Sequence, residues 1–303
     1  MAEFILHHYD TSPFSEKPRV MFGLKGLAWR SVIQPTIMPK PDLVPLTGGY
    51  RRAPVMQIGA DIYCDSQVIL AEILARSGDD GSAAAGGAWA VNLWADRLWF
   101  GTTVPVIFGE FGDSVPKAFI EDREKLSGRP FDVGAMKAAA GVMRSQWRAQ
   151  AAWIDDALAH ADFLAGAAPG LADACAYMNI WWLGGAAPGV FEALTAGLDR
   201  LAAWRGRVRA IGHGERTEMP PADALAIARA SDPAPFDAHD PADPSGLKVG
   251  APVTVAADDY GRDPIAGALV GINRHRVVIA RRDPTLGKLN VHFPRVGYVV
   301  AAG

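Results

Sequence analysis

The stretch APVMQIGADIYCDSQVILAEIL, residues 53–74, decides how the first part of the chain folds. Its apolar pattern is typical of two short strands and a helix, predicted at 55–58, 62–63 and 66–76. Pro54 stands at the entrance of the first strand, where the residue before it keeps unpaired backbone groups. Asp65 and Ser66 stand at the start of the helix, whose N–H groups can bind a carboxylate. Together these features indicate an element that holds a peptide.

The residues around this stretch complete a small α/β unit. The pattern predicts a strand, a helix, a strand and a proline-rich loop, at 4–8, 14–25, 28–33 and 35–50. The resulting β-α-β, loop, β-β-α order is typical of a thioredoxin-like fold. We therefore predict an α/β thioredoxin-like domain over residues 1–78.

The middle of the chain has the pattern of an all-α bundle domain. Residues 77–88 are rich in alanine and glycine and indicate a linker or a frayed helix start. Apolar residues then recur at helical spacing, with breaks at 127–130 and 167–170, and we predict a helical domain over 86–212.

The C-terminal part changes character again. Residues 213–246 contain six prolines and are predicted to form a linker with a short helix at 222–230. Five short β runs follow within 247–303, which predicts a small all-β barrel of SH3-like type. Residues 246–303 hold eight Lys and Arg against four Asp and Glu, whereas the whole chain has a net charge of -3. This module is therefore the basic part of an acidic chain.

The composition excludes several classes of protein. The net charge of -3 argues against nucleic acid as the main partner, and no apolar stretch is long enough to span a membrane. The two cysteines, Cys64 and Cys175, do not form a disulfide framework or a metal site, and the N-terminus lacks a signal peptide. His7 and His8 face opposite sides of a strand, so they do not chelate one ion. We expect a cytoplasmic protein without a metal.

Two further motifs connect these observations. The loop YDTSPFSEKPR at 9–19 joins the first strand to the first helix, and GLADACAY at 170–177 begins a helix of the second unit. With these motifs and the stretch at 53–74, residues 1–212 resemble a glutathione S-transferase. The resemblance implies glutathione as co-substrate, a small apolar electrophile as second substrate, and a homodimer formed through the N-terminal domain. It does not extend to the C-terminal barrel.

The resemblance also implies a set of binding residues. Ala53 and Pro54 match the family's cis-proline pair, and Ala53 would pair with the cysteinyl backbone of glutathione. Asp65 would meet the γ-glutamyl ammonium, and Ser66 its carboxylate. Asp65 is equally a good helix N-cap whether or not it binds a ligand. Further candidates are Phe14 in the loop and, for the glycyl carboxylate or as solvated charges, Lys40, Arg51 and Arg52.

The hydroxyl that would stabilise the glutathione thiolate comes from the loop at 9–19. Ser12 falls at the position of the family's reactive serine or cysteine, and Tyr9 and Ser15 are the alternates. Pro18 lacks an N–H and belongs in a first helical turn, which favours Ser15 as the N-cap and leaves Ser12 free. In the alternative, Ser12 itself caps the helix, with Pro13 at the first helical position.

Three functions remain open at this point. The leading one is a glutathione-dependent transferase; the loop holds no cysteine, which argues against mixed-disulfide chemistry. A zeta-like isomerase that adds glutathione reversibly to an unsaturated acid is the second. The third is a non-catalytic scaffold derived from a transferase, because Gly170 replaces the family's usual Ser or Thr cap and the barrel is an addition. The barrel itself has few aromatic residues for stacking on nucleic acid, so a packing or oligomerisation role is favoured.

Overall fold

A computed structural model describes residues 3–78 and 85–303, and its first unit has the predicted thioredoxin-like order. Strands and helices follow the predicted order around a four-strand core, and the first helix starts one residue earlier than predicted. The elements are β1 (Ile5–His8), α1 (Pro13–Leu24), β2 (Ala28–Ile33), α2 (Val44–Thr47), β3 (Val55–Ile58), β4 (Asp61–Cys64) and α3 (Ser66–Arg76). β1 runs parallel to β2 and antiparallel to β3, which in turn pairs with β4.

The second unit is the predicted helical bundle. Its helices are α4 (Ala85–Trp94), α5 (Phe100–Phe111), α6 (Lys117–Ser127), α7 (Val133–Ala157), α8 (Leu171–Ala186), α9 (Pro188–Thr195) and α10 (Asp199–Ile211). A π-helical turn over Ala95–Trp99 joins α4 to α5, and a 3₁₀ turn over Gly112–Ser114 follows α5. Of the linker predicted at 77–88, the described part includes the start of α4, and residues 79–84 lie outside the described residues. No helix in the described part of the chain is long and apolar enough to cross a membrane.

The proline-rich segment 213–246 is more ordered than a linker. It contains the predicted helix, α11 (Pro221–Ala230), and also a strand, β5 (Glu215–Glu218), that runs parallel to β2. Gly214 makes this pairing possible, because its φ is +69° and a Cβ there would lie 2.4 Å from the Leu27 carbonyl oxygen. The segment therefore extends the first unit's sheet by one strand.

The C-terminal residues form the five predicted strands, here named the C-terminal β region. They are β6 (Pro252–Ala257), β7 (Ile265–Ile272), β8 (Arg276–Asp283), β9 (Gly287–Pro294) and β10 (Tyr298–Ala302). They pair antiparallel in the order β10-β6-β7-β8-β9. Closure of these strands into a barrel stays a prediction.

The C-terminal β region continues the thioredoxin-like sheet. β9 runs parallel to β4, with Asp61 opposite Asn290 and Tyr63 opposite His292. In the described residues, one sheet of ten strands therefore has the order β10-β6-β7-β8-β9-β4-β3-β1-β2-β5. A buried apolar cluster crosses the junction, and Val55 and Ile62 of the first unit pack in it with residues such as Val291. The two units thus share a core.

Candidate functional site

The peptide bond between Ala53 and Pro54 is cis and lies at the entrance of β3. β3 is held between β1 and β4, so this entrance is fixed by the centre of the sheet. Just beyond β4, Asp65 is the N-cap of α3, and its Oδ1 accepts a hydrogen bond from the Gln67 backbone N at 2.9 Å. The φ of Asp65 is 92°, a conformation that residues other than glycine seldom adopt and that recurs at ligand sites.

One cleft brings most of the predicted binding residues together. Its first wall comes from the thioredoxin-like unit and contains Phe14, Tyr50, Arg52, Ala53, Pro54, Asp65, Ser66 and Gln67. The helical unit provides the second wall, from Leu93, Asp96 and Arg97. The C-terminal β region provides the third, from Asp259, Tyr260, Val296, Gly297 and Tyr298. Five of the predicted site residues are not among the described residues that line this cleft: Tyr9, Ser12, Ser15, Lys40 and Arg51.

Ser12 is the N-cap of α1. Pro13 occupies the first helical position, and the Ser12 Oγ accepts a hydrogen bond from the Ser15 backbone N at 3.2 Å. The prediction of Ser15 as the cap is therefore wrong, and the alternative with Ser12 is confirmed, because Pro13 satisfies the preference for proline at the first position. Pro18 lies deeper in α1, and the Ser15 Oγ is buried with no hydrogen-bond partner.

The loop that carries Ser12 is fixed by Arg19. The Arg19 side chain is buried, forms an ion pair with Glu16 at 2.8 Å, and donates to the carbonyl oxygens of Asp10 at 3.1 Å and Ser12 at 3.4 Å. Arg216, on β5, forms an ion pair with Asp10 at 2.8 Å from outside the loop. The loop conformation is thus held from the helix and from the added strand.

The three loop cations are engaged within the protein. Lys40 donates from Nζ to the Arg51 carbonyl oxygen at 2.9 Å, and burial lowers the pKa of Lys40 to about 8. Arg51 forms an ion pair with Asp122 at 2.9 Å, and Arg52 forms one with Asp259 at 3.1 Å. A ligand carboxylate that binds one of these cations would have to share the cation with the protein group that already binds it.

Arg52 is surrounded by three tyrosine rings. Its guanidinium carbon lies 5.3 Å from the ring centre of Tyr50, 4.8 Å from that of Tyr260 and 5.9 Å from that of Tyr298. The Tyr298 hydroxyl accepts a hydrogen bond from Arg52 Nη2 at 3.0 Å and donates one to Asp65 Oδ2 at 3.1 Å. Burial and the Asp65 carboxylate hold the pKa of Tyr298 well above its usual value, so this hydroxyl keeps its proton.

The helical wall carries a buried ion pair. Lys17 of α1 donates from Nζ to Asp96 Oδ1 and to Asn92 Oδ1, each at 2.7 Å. Asp96 lies in the π-helical turn, a type of distortion that is frequent at functional sites. Burial raises the pKa of Asp96, and Lys17 opposes that effect. This contact links α1 to the helical unit directly beside the cleft.

Known proteins match both of the first two units. A model of the glutathione S-transferase N-terminal domain matches residues 6–81, and one of the C-terminal domain matches residues 118–207. A GST-like protein from Pseudomonas syringae, solved at 2.4 Å, is 33% identical, with 100% of each chain covered and a TM-score of 0.82. The chain belongs to the glutathione S-transferase family.

Other family structures share the fold of the first two units. Glutathione S-transferase III in its apo form is 18% identical, with 77% of this chain and 100% of that chain covered and a TM-score of 0.51. Poplar glutathione transferase F1 is 11% identical, with 69% and 92% covered and a TM-score of 0.52. No curated protein matches the sequence. The full coverage of the Pseudomonas syringae chain gives the C-terminal β region a counterpart there.

The motif at 170–177, on which the family resemblance partly rested, stabilises the helical core and does not line the cleft. Asp173 is buried; its Oδ1 accepts from the Leu164 backbone N at 2.8 Å and from Trp204 Nε1 at 2.7 Å, and its Oδ2 accepts from the Gly170 backbone N at 2.9 Å. Gly170 offers no side-chain cap to α8, as predicted. A Cβ at Gly170 would lie 2.8 Å from the Ala165 Cβ, which explains why a glycine fits there.

The sequence did not predict the cleft residues that come from the helical unit and from the C-terminal β region. Two of them, Asp259 and Tyr298, contact Arg52 and Asp65 across more than two hundred residues of chain, so no local pattern indicates the contact. One signal was present: Asp258, Asp259 and Asp263 cluster in a region that is otherwise basic. No group of three His, Cys, Asp or Glu in the described residues could hold a metal ion.

Proposed function

We propose that the chain is a glutathione transferase, which adds the glutathione thiolate to a small apolar electrophile. The observation that supports this best is that Ala53, Pro54, Asp65 and Ser66 line one cleft. In this proposal the γ-glutamyl ammonium meets the Asp65 carboxylate, and its carboxylate meets the Ser66 hydroxyl and the first N–H groups of α3. The Ala53 backbone pairs with the cysteinyl backbone, as an edge strand would.

Ser12 is the proposed donor to the thiolate. A serine hydroxyl has one proton and two acceptor lone pairs, so the cap bond from the Ser15 N–H uses a lone pair and not the proton. Ser12 is buried and does not itself line the cleft, but it lies two residues before Phe14, which does. Only the thiolate form of glutathione attacks an electrophile, and a hydroxyl donor favours that form. Lowering the thiol pKa by two units needs about 2.7 kcal/mol of selective stabilisation, which a charge-assisted hydrogen bond and the N-terminus of α1 supply in order of magnitude.

The proposed electrophile site lies where aromatic rings from two units meet. Phe14 lines the cleft, and its ring centre is 4.7 Å from that of Phe100 on α5. Phe100 in turn stacks on Trp182 of α8 at 5.4 Å. Such a surface favours an apolar, preferably aromatic, second substrate.

Retention on immobilised glutathione, followed by turnover with an aryl halide, tests the proposal. We expect the protein to be retained, to be eluted by free glutathione, and to form the thioether at a rate that is saturable in both substrates. Retention without turnover would contradict the transferase activity, and a lack of retention would contradict glutathione binding itself.

The scaffold function is favoured by one observation. Asp259 and Tyr298 already satisfy Arg52 and Asp65, and the cavity volume is about 50 Å³. That volume holds on the order of four waters, so a tripeptide does not fit within the enclosed part of the cleft. No retention on immobilised glutathione in the preceding experiment is the result expected for a scaffold.

Two further expectations accompany the proposal. A homodimer is expected because transferases of this family are commonly dimers, and sedimentation velocity measures it directly. A cytoplasmic location is supported by the two free, buried cysteines, Cys64 and Cys175, which suit a reducing compartment.

A further inference from the structure

The C-terminal β region is placed against the cleft by a strand pairing. β9 pairs with β4, which ends at Cys64, the residue before Asp65. An ion pair of 2.8 Å between Arg276 of β8 and Glu72 of α3 fixes the same junction from the other side. The turn between β9 and β10 therefore lies beside the start of α3, where the proposed γ-glutamyl site is.

This turn also contacts the helical wall. Gly297 has a φ of +87°, a conformation that favours glycine, and a Cβ there would lie 2.8 Å from Arg97 Nη2. Arg97 is further held by an ion pair with Asp258. Val296, next to Gly297, lines the cleft while its side chain remains 53% exposed. The β region thus bridges the two transferase units over the cleft.

Tyr298 connects the two charged groups of the cleft. Its hydroxyl accepts from Arg52 Nη2 at 3.0 Å and lies 3.1 Å from Asp65 Oδ2 and 3.4 Å from the Tyr50 hydroxyl. The charged, nearer Asp65 oxygen is the better acceptor for its single proton, so one hydroxyl fixes a carboxylate and a guanidinium relative to each other. Asp65 Oδ1 is fixed by Gln67, so both of its oxygens are oriented before any ligand arrives. A carboxylate beside a cation is complementary to the ammonium and carboxylate of an α-amino acid.

We infer that the C-terminal β region is a wall of the glutathione cleft that contributes to the binding of glutathione. Within it, Tyr298 is a positioning residue that orients Asp65 toward the γ-glutamyl ammonium. This inference rests on the proposed glutathione binding. It assigns a role in ligand recognition to a part of the chain that lies outside both transferase domains.

Substitution of two surface valines of similar exposure tests whether the C-terminal β region contributes to the cleft. Val296 lines the cleft, whereas Val299, 56% exposed on β10, does not. By calorimetric titration we expect Val296→Trp to raise the Kd for glutathione about tenfold, or about 1.4 kcal/mol, and Val299→Trp to leave it within about twofold. An unchanged Kd in Val296→Trp would overturn the inference.

The positioning role is tested with Tyr298→Phe and two ligands, glutathione and glutaryl-cysteinylglycine, which lacks only the ammonium. We expect the Kd for glutathione to rise about fivefold and that for the analogue to stay unchanged, because the lost hydroxyl orients the partner of the ammonium. Tyr63→Phe is the control, since Tyr63 is buried at the same junction and stacks on His292 away from the cleft. It should alter neither Kd.

The outcomes distinguish a failure of the inference from a failure of the proposed function. Equal weakening of both ligands in Tyr298→Phe would show a merely structural role and overturn the positioning role. Binding to the wild-type protein with no response in either Val296→Trp or Tyr298→Phe would overturn the inference alone. No binding to the wild-type protein would overturn the proposed function and the inference together.

Discussion

At the residue scale, Ser12 caps α1 and is also the proposed donor to the glutathione thiolate. The cap uses a lone pair of the oxygen, and the proposed chemistry uses the proton. The sequence suggested that these two uses compete. Pro18 led to the wrong prediction of Ser15 as the cap, because α1 tolerates a proline beyond its first turn. The neighbouring Ser15, buried without a partner for its Oγ, is a natural control.

We expect Ser12→Ala to raise the apparent thiol pKa in the pH–rate profile by about one to two units, because the variant loses a hydrogen bond to a charged group. Loss of the cap should also lower the free energy of unfolding by about 1 kcal/mol. Ser15→Ala, measured in parallel, should leave the profile unchanged. An identical profile for Ser12→Ala and the wild-type protein would show that the donor lies elsewhere.

The binding residues differ in how far they could be predicted from sequence. Ala53, Pro54, Asp65 and Ser66 match the family resemblance and lie within fourteen residues of each other, and the antiparallel pairing of β3 with β4 places them at one cleft. Lys40 was a candidate by its charge, either for the glycyl carboxylate or as a solvated loop charge, but it is buried and its ammonium donates to the backbone of Arg51. Charge alone does not tell whether a cation is already paired.

At the scale of elements, β1 carries two buried histidines that are neutral. His7 donates from Nε2 to Gln57 Oε1 at 2.9 Å, and burial lowers its pKa to about 4. His8 bonds Ser31 Oγ at 3.0 Å, and burial together with Arg19 lowers its pKa to about 3. Unfolding releases both side chains to their ordinary pKa near 6.5.

This difference makes stability depend on pH in a defined window. As the pH falls below about 6.5, the unfolded histidines bind protons that the folded ones do not, so the free energy of unfolding decreases. Two such histidines give a slope of about 2.7 kcal/mol per pH unit between about pH 6 and pH 4.5. We expect urea unfolding of His7→Gln to show about half of this contribution.

The exposed His160 is the control for this measurement. His160→Gln should leave the slope of the wild-type protein unchanged. If the slope of His7→Gln equals that of the wild-type protein, His7 is protonated in the folded state and the assignment of its hydrogen bonds is incorrect.

Elements that are marked by nearby residues were predicted with nearly correct bounds, whereas a strand that forms only by pairing with a distant strand was not predicted. Helix α3 was predicted at its observed bounds because Asp65 marks its start and the apolar spacing continues to its end. Strand β5 was missed because all four of its side chains, Glu215–Glu218, are polar and exposed. Its strand character comes from pairing with β2, which lies far away in the sequence.

At the scale of the whole molecule, the C-terminal β region is continuous with the transferase fold. The sequence predicted a separate barrel behind a linker, since proline-rich segments usually separate domains. The structure instead joins β9 to β4 and buries Val291 and Ile62 in one apolar cluster. The sequence pattern of a strand does not show which distant strand it will pair with.

We therefore expect the two parts to unfold together. Val291→Ala removes buried apolar volume from the shared cluster and should lower the free energy of unfolding by about 2 kcal/mol. Hydrogen exchange should show the loss of protection in β3 and β4 as well as in β8 and β9. Val299→Ala, at an exposed site, is the control. Loss of protection confined to the C-terminal β region would contradict a shared core.

The central claim is that the cleft beside Asp65 binds glutathione through the charge of that residue. Calorimetric titration of the wild-type protein and of Asp65→Asn tests it most directly, because asparagine keeps the helix cap and loses the charge. Asp132→Asn repeats the change at the cap of α7, away from the cleft. We predict binding in the wild-type protein and in Asp132→Asn and at least about tenfold weaker binding in Asp65→Asn. Equal affinity in all three, or none in the wild-type protein, would contradict the account.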